Sequence, residues 1–473
     1  MATGKNKRLI LITLMLGTSM AAIDSSIVNV SLPVIRDHFT ADVESVQWVV
    51  TAYMISFCLF IPLTSWLKNR IGYFHLYTGC VTVFTIGSLL CSLSVNLEML
   101  VFARIIQAIG GGAMSPTSLA ILSDTFPKEE RGSAIGWWGI GNVMGPALGP
   151  TLGGVLTHYF GWPSVFYINI PIGILTLWMN YRYLGFLRKI PVSKPRFDLS
   201  GFTFFSLFIV SVQFATSTTS RRGLGSVEFI LGLLACILSF YFFMRSSRKP
   251  DPLLDLTVFR SATFNRAAIV VVIRSVALFG GMFFIPFLLQ GQVGFSEVQS
   301  GLLMLPNALM MLVTRPFAGR MADRGLTRNI SVAGILIVSI SFIFFSRIDP
   351  GTSVGWIIMS MMIRGLGMSL LVAPVSTALL NSVGPFQTAT ATSMNSLLQQ
   401  LGGSIGIALS TVAHSYIYAY YEGKNHPPEM AEHFALQWGF MLTSFIILLA
   451  IIPALKLPEK AILFRDRKEM ASE

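Results

Sequence analysis

Gly141-Asn-Val-Met-Gly-Pro-Ala-Leu-Gly-Pro-Thr-Leu-Gly-Gly154 is the stretch on which the reading of this chain turns. Gly141, Gly145, Gly149 and Gly153 recur every four residues, which places them close to one stripe of an α-helix. Pro146 and Pro150 lie in the same run. In water such a helix would be poor, because each glycine costs about 1 kcal/mol and each proline about 3 kcal/mol. In lipid the balance changes. Proline is tolerated more readily there, and a glycine stripe lets two helix backbones approach closely. The run therefore reads as a membrane helix with a smooth seam.

The rest of the chain agrees. Of 473 residues, 53% are hydrophobic and 12% charged, against about 25% charged in a soluble domain. Runs of roughly 20 apolar residues mark spans. They fall near 9–31, 46–67, 75–94, 97–121, 133–156, 163–185, 199–217, 227–245, 267–290, 297–318, 329–347, 354–377, 393–418 and 436–456. The expected fold is an all-α polytopic membrane protein with fourteen spans. The net charge of +12 is distributed as the positive-inside rule requires. With the N-terminus in the cytoplasm, only Arg36, Arg221, Arg222, Arg347 and Lys424 fall outside, and both termini are expected inside. That placement accounts for the basic balance without nucleic acid. Cys58, Cys80, Cys91 and Cys236 lie in expected spans without CxxC spacing and read as small apolar residues.

The outline is six spans, an inserted hairpin and six more. The expected divisions are an N-terminal block 1–190, a linker and hairpin 191–252, a C-terminal block 253–457 and a tail 458–473. The two blocks look related. Asn69-Arg70 follows Pro62 at the same distance as Asp323-Arg324 follows Pro316. Arg104 and Arg364 are each followed by glycines and then by Pro116 or Pro374. Repeats on this scale imply two similar bundles related by an axis along the membrane normal.

Asp24 is the only carboxylate deep in an expected span, where a charge is costly and faces a cavity or a partner. Arg104 lies at a similar depth, so an interaction between them, direct or through water, is geometrically allowed. Two readings are open, a proton or cation site and a structural ion pair. Gln107 shares the face of Arg104. Asn29, Gln107, Asn142, Arg364 and Gln399 are the polar positions expected to line a substrate cavity. Arg274 and Arg364 are deep cations without a deep acid in their block. Binding carbonyls and anchoring helices are the favoured roles for them, beside attraction of an anionic substrate group. The inner loops, with Asn69, Arg70 and Gly72 in one block and Gly319, Arg320, Asp323 and Arg324 in the other, are expected to lock and release the helix ends. Gln399-Gln-Leu-Gly-Gly-Ser404 reads as close packing with a cavity face. No GxxxxGK[ST], HExxH, GxSxG or Cys/His cluster occurs, so an ATP-driven pump or an intramembrane enzyme is not expected, nor a cofactor or metal.

At these residues the chain resembles the major facilitator superfamily, specifically its fourteen-span drug:proton antiporters of the EmrB/QacA type. Gly141 to Gly154 looks like that family's antiporter motif. Ala22-Ile-Asp24-Ser-Ser-Ile-Val-Asn29-Val-Ser-Leu-Pro33 resembles its first-span motif, and Arg104-Ile-Ile-Gln107-Ala-Ile-Gly110 its fourth-span motif. Trp162-Pro-Ser-Val-Phe-Tyr-Ile-Asn-Ile-Pro171 and Pro252-Leu-Leu-Asp255 resemble further stretches. Asn69 stands where the family usually carries Asp, and Gln399 where relatives often carry Arg. The resemblance implies two six-helix bundles plus an inserted two-helix hairpin, alternating access, and export of hydrophobic or amphipathic small molecules against protons across the cytoplasmic membrane. It implies that Asp24 is the protonatable site and Arg104 its assistant. The alternatives are transport of one metabolite or lipid, and a non-transporting scaffold or sensor. Relatives can work with a periplasmic adaptor, and no feature of this sequence bears on one.

Overall fold

The computed structural model describes residues 4–41, 43–189, 196–222, 226–249, 252–384 and 387–459. Their regular structure is helical throughout. The N-terminal part holds α1 (Gly4–His38), α2 (Val43–Phe60), α3 (Leu63–Ser92), α4 (Leu97–Thr125), α5 (Arg131–Phe160), α6 (Ser164–Tyr167) and α7 (Asn169–Tyr183). A hairpin of α8 (Leu199–Arg222) and α9 (Val227–Ser246) follows. Then come α10 (Ala262–Pro286), α11 (Glu297–Asp323), α12 (Thr327–Phe345), α13 (Val354–Asn381), α14 (Thr388–Glu422), α15 (Pro428–Leu448) and α16 (Ile451–Leu455).

All fourteen apolar stretches fall on these helices, and the chain is an all-α polytopic membrane protein. Among the described residues, nine helices are long and apolar enough by themselves to cross a membrane. The others are interrupted or diluted. Pro62 has no N–H to donate, so α2 ends before it and the helix restarts at Leu63. The span expected near 163–185 is broken into α6 and α7 at Ile168. Gly, Ser, Thr and Gln dilute the long helices α5 and α14.

Polar residues set the helix ends. The Asn96 side chain accepts from Met99 N–H at 2.8 Å and starts α4. Ser261, Ser296 and Ser353 do the same for α10, α11 and α13, and Ser296 forms a reciprocal box with Gln299. Gly72 interrupts α3 with φ 77° and ψ 163°. A side chain is strained at that φ, so glycine separates the stretch that continues α2 from the next span. Proline within α10 is followed by a π-helical turn over Phe287–Gln292, where the regular bonding pattern shifts.

The chain forms two compact units. The first contains Met1–Ile209, Phe242–Val258 and Gly384–Ser396; the second contains Val210–Tyr241, Phe259–Val383 and Leu397–Glu473. In the first unit α1 packs on α5 and α7, and α4 packs on α2 and α3. In the second, α13 packs on α11 and α12, and α15 on α10 and α12. Residue 190 of the expected N-terminal block, parts of the expected linker and hairpin (191–195, 223–225 and 250–251) and the tail from 460 lie outside the described residues.

Candidate functional site

Asp24 sits in the interior of α1 and is fully buried. Its Oδ2 accepts from Arg104 Nη1 of α4 at 2.6 Å. Its Oδ1 accepts from Gln107 Nε2 at 2.7 Å and from Asn169 Nδ2 of α7 at 2.9 Å. Two helices, α4 and α7, thus satisfy one carboxylate of α1. A charge-assisted bond of this kind is roughly twice as strong as a neutral one. The sequence left direct contact and a water bridge open; the contact is direct.

Arg104 is itself 1% exposed. Its Nε donates to the Val49 carbonyl of α2 at 3.2 Å, and Nη1 also reaches Gln107 Oε1. The guanidinium lies 3.9 Å from the ring centroid of Tyr53, close enough for a cation–π contact. Gln107 Nε2 also donates to Ser88 Oγ of α3 at 2.7 Å. The cluster therefore joins α1, α2, α3, α4 and α7. Next to it lies an apolar layer that includes Ile27, Val28, Val46, Val49, Cys91, Leu100, Trp162 and Phe166, all buried. This layer excludes water and strengthens each electrostatic contact beside it.

The glycine stripe of α5 explains how α1 is held. A Cβ on Gly141 would meet the Met15 carbonyl and Ser19 Oγ at 2.9 Å. One on Gly145 would fall on the Ala22 carbonyl, and one on Gly149 on Ser26 Oγ. The stripe packs its glycines on α1 of the same unit, two residues from Asp24. Ser26 Oγ donates to the Gly145 carbonyl at 2.7 Å across this seam, and Trp138 Nε1 donates to Thr18 Oγ1 at 3.0 Å. Gly153 is buried, whereas Gly154 is exposed and faces open space. The side chains of Asn29, Pro146 and Pro150 lie outside the described residues.

Other expected positions do not join the cluster. Asn142 is half-buried on α5 and makes no hydrogen bond to it. Arg364 and Gln399 belong to the second unit, on α13 and α14. Arg364 Nη1 donates to Asn307 Oδ1 and Nη2 to the Leu278 carbonyl, each at 3.4 Å. Gln399 is half-buried one turn before Gly402. A Cβ on Gly402 would meet Val272 and Ser275, and one on Gly406 would fall on the Val276 carbonyl of α10. The Gln-Gln-Leu-Gly-Gly run thus begins a second glycine seam.

In the inner loops, Arg70 lies over Trp66 and Lys68 over Tyr73, while Asn69 is half-buried. Tyr73 donates to Asp124 at 2.9 Å, and Ser65 bonds Thr390 at 2.9 Å. In the second unit Gly319 is buried, Arg320 lies over Phe317, Asp323 ends α11 and Arg324 caps it.

Asn169, Tyr53 and Ser88 are the residues that sequence reading missed. Asn169 carried a signal, a lone amide in the apolar run Phe166 to Pro171. No spacing rule links it to a carboxylate 145 residues away. Cys58, Cys80 and Cys91 are buried free thiols, as read from sequence, and Cys236 is a half-buried one.

The family model described as Major Facilitator Superfamily matches residues 14–407. The riboflavin transporter RibZ of Clostridioides difficile (strain 630) is 30% identical over 85% of this chain and 87% of its own length. The multidrug resistance protein B homolog of Mycobacterium tuberculosis (strain ATCC 25618 / H37Rv) is 30% identical over 85% of this chain and 75% of its own length. Among solved structures, the human organic anion transporter MFSD10 (TETRAN) superposes with a TM-score of 0.69 at 15% identity, over 95% of this chain and 99% of that one. Long apolar helices, a buried Asp–Arg pair and matches along most of the chain have one common reading: this chain belongs to the Major Facilitator Superfamily and is a membrane transporter.

Proposed function

We propose that this transporter is a proton-coupled antiporter that exports hydrophobic or amphipathic small molecules by alternating access. It would lie in the cytoplasmic membrane with both termini inside. Residues 1–190 and 253–457 would form the two bundles, with 191–252 as an inserted linker and hairpin.

The observation that carries this reading is the burial of Asp24 among Arg104, Gln107 and Asn169. An ionisable residue inside a membrane marks an ion or substrate path by default. A proton arriving on a carboxylate oxygen of Asp24 removes its negative charge. The ion pair with Arg104 is then lost, and α1 is released from α4. Because the glycine seam couples α1 to α5, the two helices would move together. Loss of the proton restores the pair. Asn29, Gln107, Asn142, Arg364 and Gln399 would line the substrate path, and the loops at Asn69 to Gly72 and Gly319 to Arg324 would control its inner end. The multidrug resistance relative supports broad export.

The test is export from proteoliposomes under an imposed pH gradient. Wild-type protein is expected to move substrate with the gradient, and Asp24→Asn to lose the dependence on it. Unchanged coupling in Asp24→Asn would overturn the role of Asp24. The riboflavin-transporter relative favours a second reading, a single metabolite as substrate. A growth screen separates the two, since resistance to many unrelated compounds supports the first and response to one solute the second.

A further inference from the structure

Asn169 uses only one half of its amide. The residue is fully buried at the start of α7. The break at Ile168 ends α6 just before it, and Gly173, one turn further on, lets α7 approach Thr85 of α3. This placement sets Asn169 Nδ2 2.9 Å from Asp24 Oδ1. The other end of the amide, Asn169 Oδ1, is buried without a hydrogen-bond donor among the described residues. A buried acceptor left unpaired lowers stability.

Of the three residues that bond Asp24, Asn169 alone keeps such an acceptor. Arg104 has donors only. Gln107 Oε1 already accepts from Arg104 Nη1 and Cys91 Sγ. Ser88 Oγ, behind Gln107, accepts from Gln107 Nε2 and donates to the Phe84 carbonyl. Tyr53 Oη is also unpartnered, but Tyr53 makes no hydrogen bond to Asp24.

The two oxygens of Asp24 differ as well. Oδ2 faces the Arg104 guanidinium, whereas Oδ1 faces the two neutral amides. The titratable groups that act with this carboxyl are Arg104 of α4, Tyr53 of α2 and Cys91 of α3. On the other sides α7 presents Asn169, and α5 presents Gly145 beside Ala22. A proton on Oδ2 would point at the N–H of a cation. A proton on Oδ1 points at an amide that can turn. A carboxylate only accepts, but a carboxylic acid has one O–H to donate. An amide carries a donor and an acceptor, and half a turn about its last side-chain bond exchanges them.

We infer that Asn169 is a positioning residue that serves both protonation states of Asp24. It donates Nδ2–H to the carboxylate. Turned over, it accepts the acid proton of Asp24 Oδ1 on its own Oδ1. The incoming proton forms one O–H bond on Asp24, and no other covalent bond changes. Gln107 Nε2 keeps its bond to Ser88 throughout. The inference rests on the proton-coupled reading above and names the oxygen and the acceptor that the proton uses.

The experiment is infrared difference spectroscopy of the full-length protein in proteoliposomes, acidic against neutral buffer. The Asp24 acid is the carboxyl C=O band that Asp24→Asn lacks. In Asn169→Leu its O–H has no acceptor, so the band is expected at higher frequency than in wild type. Asn169→Gln keeps an amide and is expected to bring the band part of the way back. A second measurement needs no variant of Asn169 and uses protein with heavy carbon in its asparagine side-chain carbonyls. On acidification one labelled band is expected to fall in frequency as Asn169 Oδ1 gains a donor, and this change is expected to be absent in Asp24→Leu. An acid band at one frequency in wild type and Asn169→Leu overturns the inference and leaves Asp24 as the proton site. So does an acid band that appears while every labelled band stays still. The labelled protein decides alone if Asn169→Leu fails to fold. Absence of any Asp24-dependent acid band overturns the inference together with the proton-coupled reading.

Discussion

Arg104 and Arg364 occupy corresponding places in the two units, yet their surroundings are opposite. Arg104 follows α1 and α2 in its unit as Arg364 follows α10 and α11. Glycines on both helices allow close neighbours: Gly110 and Gly112 of α4 meet α3 and α2, and Gly365 and Gly367 of α13 meet α11 and α12. Asp24 stands as far before Asn69 as Leu278 stands before Asp323. Each arginine reaches toward that position. In the first unit it finds a carboxylate at 2.6 Å; in the second it finds a backbone carbonyl at 3.4 Å. One scaffold therefore presents a closed acid–base pair on one side and an open cation on the other. The first arrangement ties three helices through one charged pair, and the second holds its cation on neutral oxygens.

The largest test of this contrast removes one partner from the closed pair. Arg104→Leu leaves the buried Asp24 carboxylate without its counter-charge and should cost about 3–5 kcal/mol, read as a lower unfolding temperature in detergent. Asp24→Leu combined with Arg104→Leu should recover most of that loss and still fail in pH-driven export. A double variant as unstable as the single one would show that the two charges do not compensate each other.

A second substitution tries to make the open unit resemble the closed one. Leu278→Asp puts a carboxylate beside Arg364. It should be more stable than Leu278→Asn by about 1.5–3 kcal/mol, the range for a hydrogen bond to a charged group. Equal stability of the two variants would break the proposed equivalence of the units.

The two seams are compared next. Gly145→Leu and Gly406→Leu should each cost about 1–3 kcal/mol through overpacking. Gly154→Leu should stay within about 0.5 kcal/mol, because a Cβ there meets open space. Equal effects at all three positions would mean that helix propensity, not the close approach, sets the cost.

The smallest effect is expected at the start of the hairpin. Asp198 is buried there, which alone would raise its pKa, but bonds from Gly201 N–H, Ser200, Ser246 and Leu253 N–H outweigh this and lower it. A carboxylate with a lowered folded pKa stabilises above its unfolded pKa and loses that contribution as pH falls through the folded one. Asp198→Asn should therefore melt earlier than wild type at neutral pH. The gap should close as pH drops below the ordinary carboxylate range. A gap independent of pH would assign the effect to packing.

Much of the closed site was legible before any coordinates. Asp24 and Arg104 stood out because a charge in an apolar run is costly and must have a reason to be there. Gln107 followed from its place one turn after Arg104. Asn169 was not assigned because an amide in a span has many uses, and its partner lies on another helix. The glycine stripe showed that a close approach occurs, but not that α1 is the helix approached. The second seam was less visible, since Gly402 and Gly406 lie in a run without flanking prolines. Arg274 was visible as a deep cation, but not that its buried Nη1 finds no hydrogen-bond partner among the described residues, which depends on every helix around it.

The sequence by itself determined the solvent and the fold class. Those follow from run lengths, residue types and charge placement, which a linear pattern records directly. Only the tertiary structure decided which groups meet. It brought Asn169 of α7 to Asp24 of α1, set the seam of α5 on Ala22 and Ser26, and left Arg274 without a hydrogen-bond partner for its buried Nη1. The physical reason is that helix spacing fixes a side chain's neighbours on its own helix, whereas partners across helices are set by packing of segments far apart in the chain.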